Sequence, residues 1–155
     1  MPSKKTELIP KRTPEKKRRT PAPVHQLAAI AVEAILSKKG EDVVIMDMRS
    51  VSGVADLFVL CTGTSDLQIK AIVDAVRESV KEQTEERPWH VEGYAGLQWV
   101  LLDYVDLVVH VFSPEKRSFY DLERLWGDAP MEKVADDAVE GVKIALLEEI
   151  AQAAS

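Results

Sequence analysis

Six consecutive residues, Leu57-Phe58-Val59-Leu60-Cys61-Thr62, carry no charge and stop at Gly63-Thr64-Ser65. A strand this short and this apolar offers no polar face to water, so it belongs in the interior of a sheet with material packed on both sides. The segment after the turn sets the class. Ser65 and Gln68 have capping-box spacing, the hydroxyl accepting from an otherwise unpaired backbone N–H. Ile69, Ile72, Val73, Val76 and Val80 then recur at helical spacing to about Gln83, and Pro88 ends any helix. A buried strand feeding an amphipathic helix specifies an α/β fold.

The rest of the chain extends the pattern. Leu27, Ile30, Ala31, Ala34 and Ile35 mark one face of a helix from Val24, with Gly40 as its C-terminal cap after Lys38 and Lys39. Val43 to Met48 reads as a buried strand and Trp89 to Glu92 as a third. Gln98–Asp103 and Asp106–Phe112 read as two more, giving five strands in all. With Tyr104-Val105 as a two-residue turn, the last two form an antiparallel hairpin pairing 103 with 106, 101 with 108 and 99 with 110. Neither turn residue favours the positive φ of a primed turn. Ser113-Pro114 then supplies an N-cap and first-turn proline for a short helix through Trp126. A final amphipathic helix is predicted over 131–153, with Val134, Ala138, Val142, Ala145 and Ile150 along one stripe.

The pattern divides the chain into a tail (1–21), one domain (22–130) and a C-terminal helix (131–155). The net charge of −6 hides a contrast between tail and body. Residues 1–21 hold eight Lys/Arg against Glu7 and Glu15, whereas the remainder is strongly acidic. With Leu8 and Ile9 as its only large apolar residues after Met1, the tail is expected to be disordered. A basic tail suits salt-sensitive contact with RNA phosphates, but a merely solubilising role explains it equally well. No apolar run approaches the ~20 residues that span a bilayer, and no secretory signal is read at the N-terminus. One cysteine, Cys61, allows no internal disulfide and fits a reducing cytoplasm. No zinc cluster or other cofactor is expected from this composition.

Alternation sorts the hairpin into two faces. Val100, Leu102, Leu107, Val109 and Val111 should lie against helices. Trp99, Leu101, Asp103, Asp106, Val108, His110 and Phe112 fall on the other side, joined by Phe119, Tyr120, Leu122, Leu125 and Trp126 from the short helix. Aromatic residues mixed with a histidine, carboxylates and Arg117 have the make-up of a protein-binding surface. Helical spacing assigns Phe119, Leu122 and Trp126 to the core, while Trp99 and Tyr120 fit core and surface equally.

Catalytic readings are weaker. His110 with Asp103 or Asp106 has the types of a base and its orienter, but no serine sits in a nucleophile elbow and Cys61 lies in a buried strand. A hydrogen-bonded structural histidine accounts for His110. Asp103 and Asp106 read as solvated turn carboxylates in preference to a metal site. Thr62 to Ser65 has the outline of an anion nest, without the further glycines and lysine of a phosphate-binding loop.

These segments resemble the ribosomal silencing factor family, also called Iojap or RsfS. The resemblance rests on Ala55 through Ser65, on Val91-Glu92-Gly93 and on Trp99 through Phe112. It is completed by Arg117-Ser118-Phe119-Tyr120-Asp121-Leu122-Glu123-Arg124-Leu125-Trp126, and it spans about 24–130. It implies a mixed five-stranded, nucleotidyltransferase-like α/β fold, usually dimeric. It further implies a cytoplasmic, non-enzymatic protein that binds large-subunit ribosomal protein number fourteen. Docked there, such a protein blocks association of the ribosomal subunits and represses translation under nutrient limitation. By motif match, Trp99 and Tyr120 lie at the partner surface, with Phe112, Arg117 and Leu122 as further members and Trp126 in the core. The alternative the fold implies is a nucleotidyltransferase-like nucleotide-binding enzyme. Against it, Asp74-Ala75-Val76 falls within a helix and supplies no metal-binding carboxylate pair. The family often has glycine where this chain has Val105.

Overall fold

The computed structural model describes residues 21–136 and 143–154. Apart from Pro21, the basic tail lies outside the described residues. The elements run α1 (Val24–Ser37), β1 (Glu41–Asp47), β2 (Leu57–Thr62), α2 (Asp66–Thr84), β3 (His90–Glu92), β4 (Trp99–Asp103), β5 (Leu107–Phe112), α3 (Pro114–Tyr120), α4 (Leu122–Leu125), β6 (Met131–Val134) and α5 (Ala145–Ala154). They build one mixed sheet of order β3-β4-β5-β2-β1-β6. The uncharged strand β2 lies inside it, parallel to β5, with every residue buried; the other pairings are antiparallel.

The sheet separates two apolar clusters. On one side α1, α2 and α5 pack Ile35, Ile72, Val76 and Leu147 against Val59, Val100, Leu102, Val109 and Val111. On the other, Met46, Met48, Phe58, Leu60, Val108 and Phe112 meet Leu122 and Ala129, with Trp99, Leu101 and Trp126 partly buried beside them. Both hairpin faces are therefore as the alternation predicts.

Helix α2 begins as its sequence requires. Ser65 Oγ accepts from the Gln68 N–H at 3.1 Å, and the Gln68 carboxamide donates to the carbonyls of Lys38 and Lys39, fastening the end of α1 to the start of α2. The cap of α1 differs in detail from expectation. Lys39, not Gly40, takes the left-handed conformation (φ 64°). Gly40 is required because an added Cβ would fall on Ile35 Cγ2.

Two further expectations need correction. The β4–β5 register is shifted by two residues: Asp103 faces Val108, Leu101 faces His110 and Trp99 faces Phe112. A two-residue primed turn needs a positive φ at its first residue, here Tyr104, and in type I′ at the second as well. Only Val105 adopts one here (φ 77°), so the Tyr104 N–H closes a wider loop on the Leu107 carbonyl at 2.7 Å. A two-residue shift preserves the alternation, which is why the faces survive. The second correction is a sixth strand. Residues Met131–Val134, expected to open the last helix, instead pair with β1, placing Val43 opposite Val134 and Met46 opposite Met131. Val134 is buried, but in the sheet. The helix proper begins at Ala145, and Ala138 and Val142 lie outside the described residues. Unpaired N–H and C=O groups along β1 favour strand over helix there.

Candidate functional site

Where β4 begins and β5 ends, three elements bring a graded stack of aromatic rings together. Phe112 closes β5 and is fully buried. Trp99, its cross-strand neighbour, lies on it with centroids 4.9 Å apart and planes 26° apart. Ser113 then caps α3, its hydroxyl accepting from the Lys116 N–H at 3.2 Å, and Pro114 starts the helix. That helix carries Tyr120 over Trp99 at 4.6 Å and Phe119 edge-on to Tyr120 at 5.0 Å. Exposure rises outward: Trp99 is half-buried, Tyr120 43% exposed and Phe119 77%. Lys116 Nζ sits 5.9 Å from the Tyr120 ring centroid. Ring pairs at these separations contribute beyond their area, and an exposed stack of this kind is what a protein interface buries.

His110 lies under the stack. The Trp99 indole Nε1–H donates to His110 Nδ1 at 3.1 Å, and Phe58 packs on the imidazole at 4.6 Å. An indole N–H can only donate, so Nδ1 is the accepting nitrogen and Nε2 carries the ring proton. Burial, helped by the Arg117 charge and opposed by Asp103, pushes the imidazole down to about 3, so it is neutral near pH 7. Its lone pair is already engaged, which suits it to structure better than to proton transfer. The Asp103 carboxylate accepts the Val105 N–H at 2.8 Å, serving the turn. Asp106 is raised by burial and by the neighbouring Asp56 charge. The buried Cys61 thiol is pushed up to about 12, far from a reactive thiolate.

Arg117 points inward, contrary to its expected place among surface residues. Its guanidinium donates to Thr62 Oγ1 at 3.0 Å, the Asp42 carbonyl at 2.9 Å and Glu123 Oε2 at 2.8 Å. Its side chain is only 11% exposed. The Asp42 carbonyl is available because β1 bulges there, with Asp42 at φ 51°. Glu123 would be raised by its burial, but the Arg117 hydrogen bonds and charge outweigh that and hold it below the usual range. Phe112 and Leu122 are likewise buried, in the cluster that Trp99 packs against, so these two support the aromatic stack from beneath while Arg117 ties α3 to the sheet.

Phe119 departs in the opposite direction, outward from its expected core position, and Trp126 is half-buried rather than enclosed. The helix predicted through Trp126 is broken at Asp121, which takes a left-handed conformation (φ 47°). The break destroys the i, i+3 relation between Phe119 and Leu122 that placed both on one stripe. It leaves Leu125 exposed, one of the short-helix residues that the sequence grouped with this face. Aspartate's tolerance of this conformation was the available clue.

Two of the backbone donors of the Thr62–Ser65 turn are spent internally. The Gly63 N–H donates to the Phe112 carbonyl and the Thr64 N–H to the Gln68 side chain, at 2.9 and 2.7 Å. Among the described residues, no group of three or more His, Cys, Asp or Glu converges as a metal site, and no helix is long and apolar enough to cross a membrane.

Residues 21–153 match the family described as "Ribosomal silencing factor during starvation". The chain is 45% identical over 105 residues to the ribosomal silencing factor RsfS of Bacillus subtilis, covering 66% of this chain and 86% of that protein. It is 44% identical over 105 residues to RsfS of Halalkalibacterium halodurans, covering 68% and 89%. A crystal structure of a protein from Chromobacterium violaceum superposes with a TM-score of 0.65 at 33% identity, covering 68% of this chain and 88% of that one.

Proposed function

Because the chain belongs to the ribosomal silencing factor family, we propose that it docks on the large ribosomal subunit through ribosomal protein number fourteen and blocks joining of the small subunit. Translation is thereby repressed when nutrients are scarce. The observation that carries this reading is the exposed stack of Trp99, Tyr120 and Phe119 at the end of the β4–β5 hairpin. Phe112 and Leu122 hold that surface from within, and Arg117 fastens the helix that carries Tyr120 to the sheet. The protein acts by occupancy, not by chemistry: His110 Nδ1 accepts the Trp99 indole N–H, Cys61 is buried on the other side of the sheet, and the Gly63 and Thr64 N–H groups are used within the fold. It works in the cytoplasm, pairs with a second copy when free, and uses basic residues of 1–21 for weak contact with ribosomal RNA.

Mixing the pure protein with isolated large and small subunits and following sedimentation tests the reading. Co-migration with large subunits and loss of the joined particle are expected. Joined particles forming undiminished at saturating protein would overturn it.

A further inference from the structure

We infer that His110 is a positioning residue for docking: by accepting the indole N–H of Trp99 it fixes the plane in which that ring is presented between Phe112 and Tyr120. The inference rests on the reading of Trp99 as part of the partner surface.

Three observations support it. First, the indole of a half-buried strand tryptophan is not fixed by packing alone, because its χ2 well is broad and roughly two-fold. The hydrogen bond to Nδ1 selects one setting, in which the ring stacks on Phe112 at 26° and meets Tyr120 at 43°. Second, the acceptor is itself immobilised. His110 pairs with Leu101, which puts it diagonal to Trp99, within reach of an aromatic side chain. Its ring is held by Phe58 at 4.6 Å and lies parallel to Phe112 within 9°. Third, the choice of residue is costly. His110 is the one polar residue of β5, and its Nε2–H is buried without a hydrogen-bond partner among the described residues. An unsatisfied buried donor opposes folding, and a β-branched apolar residue would avoid it. What histidine supplies that valine cannot is an acceptor aimed at the indole.

Two substitutions separate this role from packing. In His110→Asn the carboxamide oxygen takes the place of Nδ1 and keeps the acceptor. In His110→Leu the volume is roughly kept and the acceptor is lost. A purely structural residue would tolerate Leu better than Asn, since Leu buries no polar group; a positioning residue reverses that order. The full chain and its variants are titrated against isolated large subunits, with the Trp99 indole N–H resonance of the free protein followed by NMR. His110→Leu should weaken binding about tenfold and move the indole resonance toward solvent-exposed values, while His110→Asn stays within about threefold and keeps it. Leu binding as tightly as the parent, or an indole resonance unmoved in Leu, overturns the inference. Should the Leu variant not fold, loss of the native indole resonance in Asn overturns it as well. Trp99→Ala run alongside reports on the docking reading separately: full affinity there removes Trp99 from the surface, while the resonance still decides what His110 does.

Discussion

The rings of Trp99 and Tyr120 lie 4.6 Å apart, one from the first residue of β4 and the other from the last residue of α3. Their pairing exists only because Ser113 caps α3 immediately after β5, fixing the angle at which the helix leaves the sheet. Tyr120 is the more exposed partner, so it is the cleaner probe of binding. Tyr120→Ala should weaken binding to large subunits by about 2 kcal/mol, with fold stability changed by less than about 1 kcal/mol. Titration and melting on the same samples check this; unchanged affinity would exclude Tyr120 from the interface.

Arg117 joins α3 to the sheet through Thr62, the Asp42 carbonyl and Glu123. Arg117→Ala should lower stability by about 2 kcal/mol, less than for a fully enclosed pair because Glu123 keeps some access to water. Arg117→Lys should recover only part of it, since an ammonium cannot reproduce the planar fork. Denaturant midpoints at constant m-value measure both.

Stability should fall with acid in a window set by His110. Its folded value of about 3 lies below the ordinary 6.5, so above pH 6.5 neither state is protonated and the full stability is present. As pH falls from 6.5 toward 3, the unfolded chain takes a proton that the fold refuses. The resulting slope approaches about 1.4 kcal/mol per pH unit. His110→Asn, which does not titrate, should flatten the stability profile between pH 6.5 and 5. An identical slope in parent and variant would show that the imidazole is protonated within the fold.

Val105 and Gly93 test the backbone at the two ends of β4. Val105 holds φ 77°, a left-handed setting unfavourable for a β-branched residue, and it is exposed. Val105→Gly should raise stability by about 1 kcal/mol, relief of strain exceeding the entropy that glycine adds to the unfolded chain. Gly93 is at φ 83°, where an added Cβ would meet the Trp99 carbonyl oxygen. Gly93→Ala should cost about 2 kcal/mol or more and weaken binding too, because the displaced backbone is that of Trp99. Thermal melts of the two variants should shift in opposite directions.

The body of the chain beyond the tail is acidic, so under the proposed docking its approach to a partner surface of opposite charge should be electrostatically steered. Association should slow as salt is added while dissociation changes little. A salt-independent association rate, measured by stopped flow, would refute steering.

Much of this protein was legible in the residue string. Side-chain alternation is a property of the backbone itself, so His110 and Phe112 share a face, and Trp99 joins them in any register offset by an even number of residues. The same holds for Ile69, Ile72, Val73, Val76 and Val80, all buried along α2 as their spacing requires. Ser65 and Ser113 announced the two helix starts, because a capping hydroxyl acts within its own turn.

The tertiary structure decided what depends on distant partners. Val134 fits a helical stripe as well as a strand, and the open edge of β1 made it a strand. Arg117 has the look of a surface cation, yet a bulge at Asp42 and the carboxylate of Glu123 draw it inside. Phe119 faces outward because Asp121 turns the chain after Tyr120. Local pattern fixes which residues share a face; which faces meet is settled by hydrogen-bond groups and apolar surface supplied from elsewhere in the chain, and no window of sequence contains both sides of that contact.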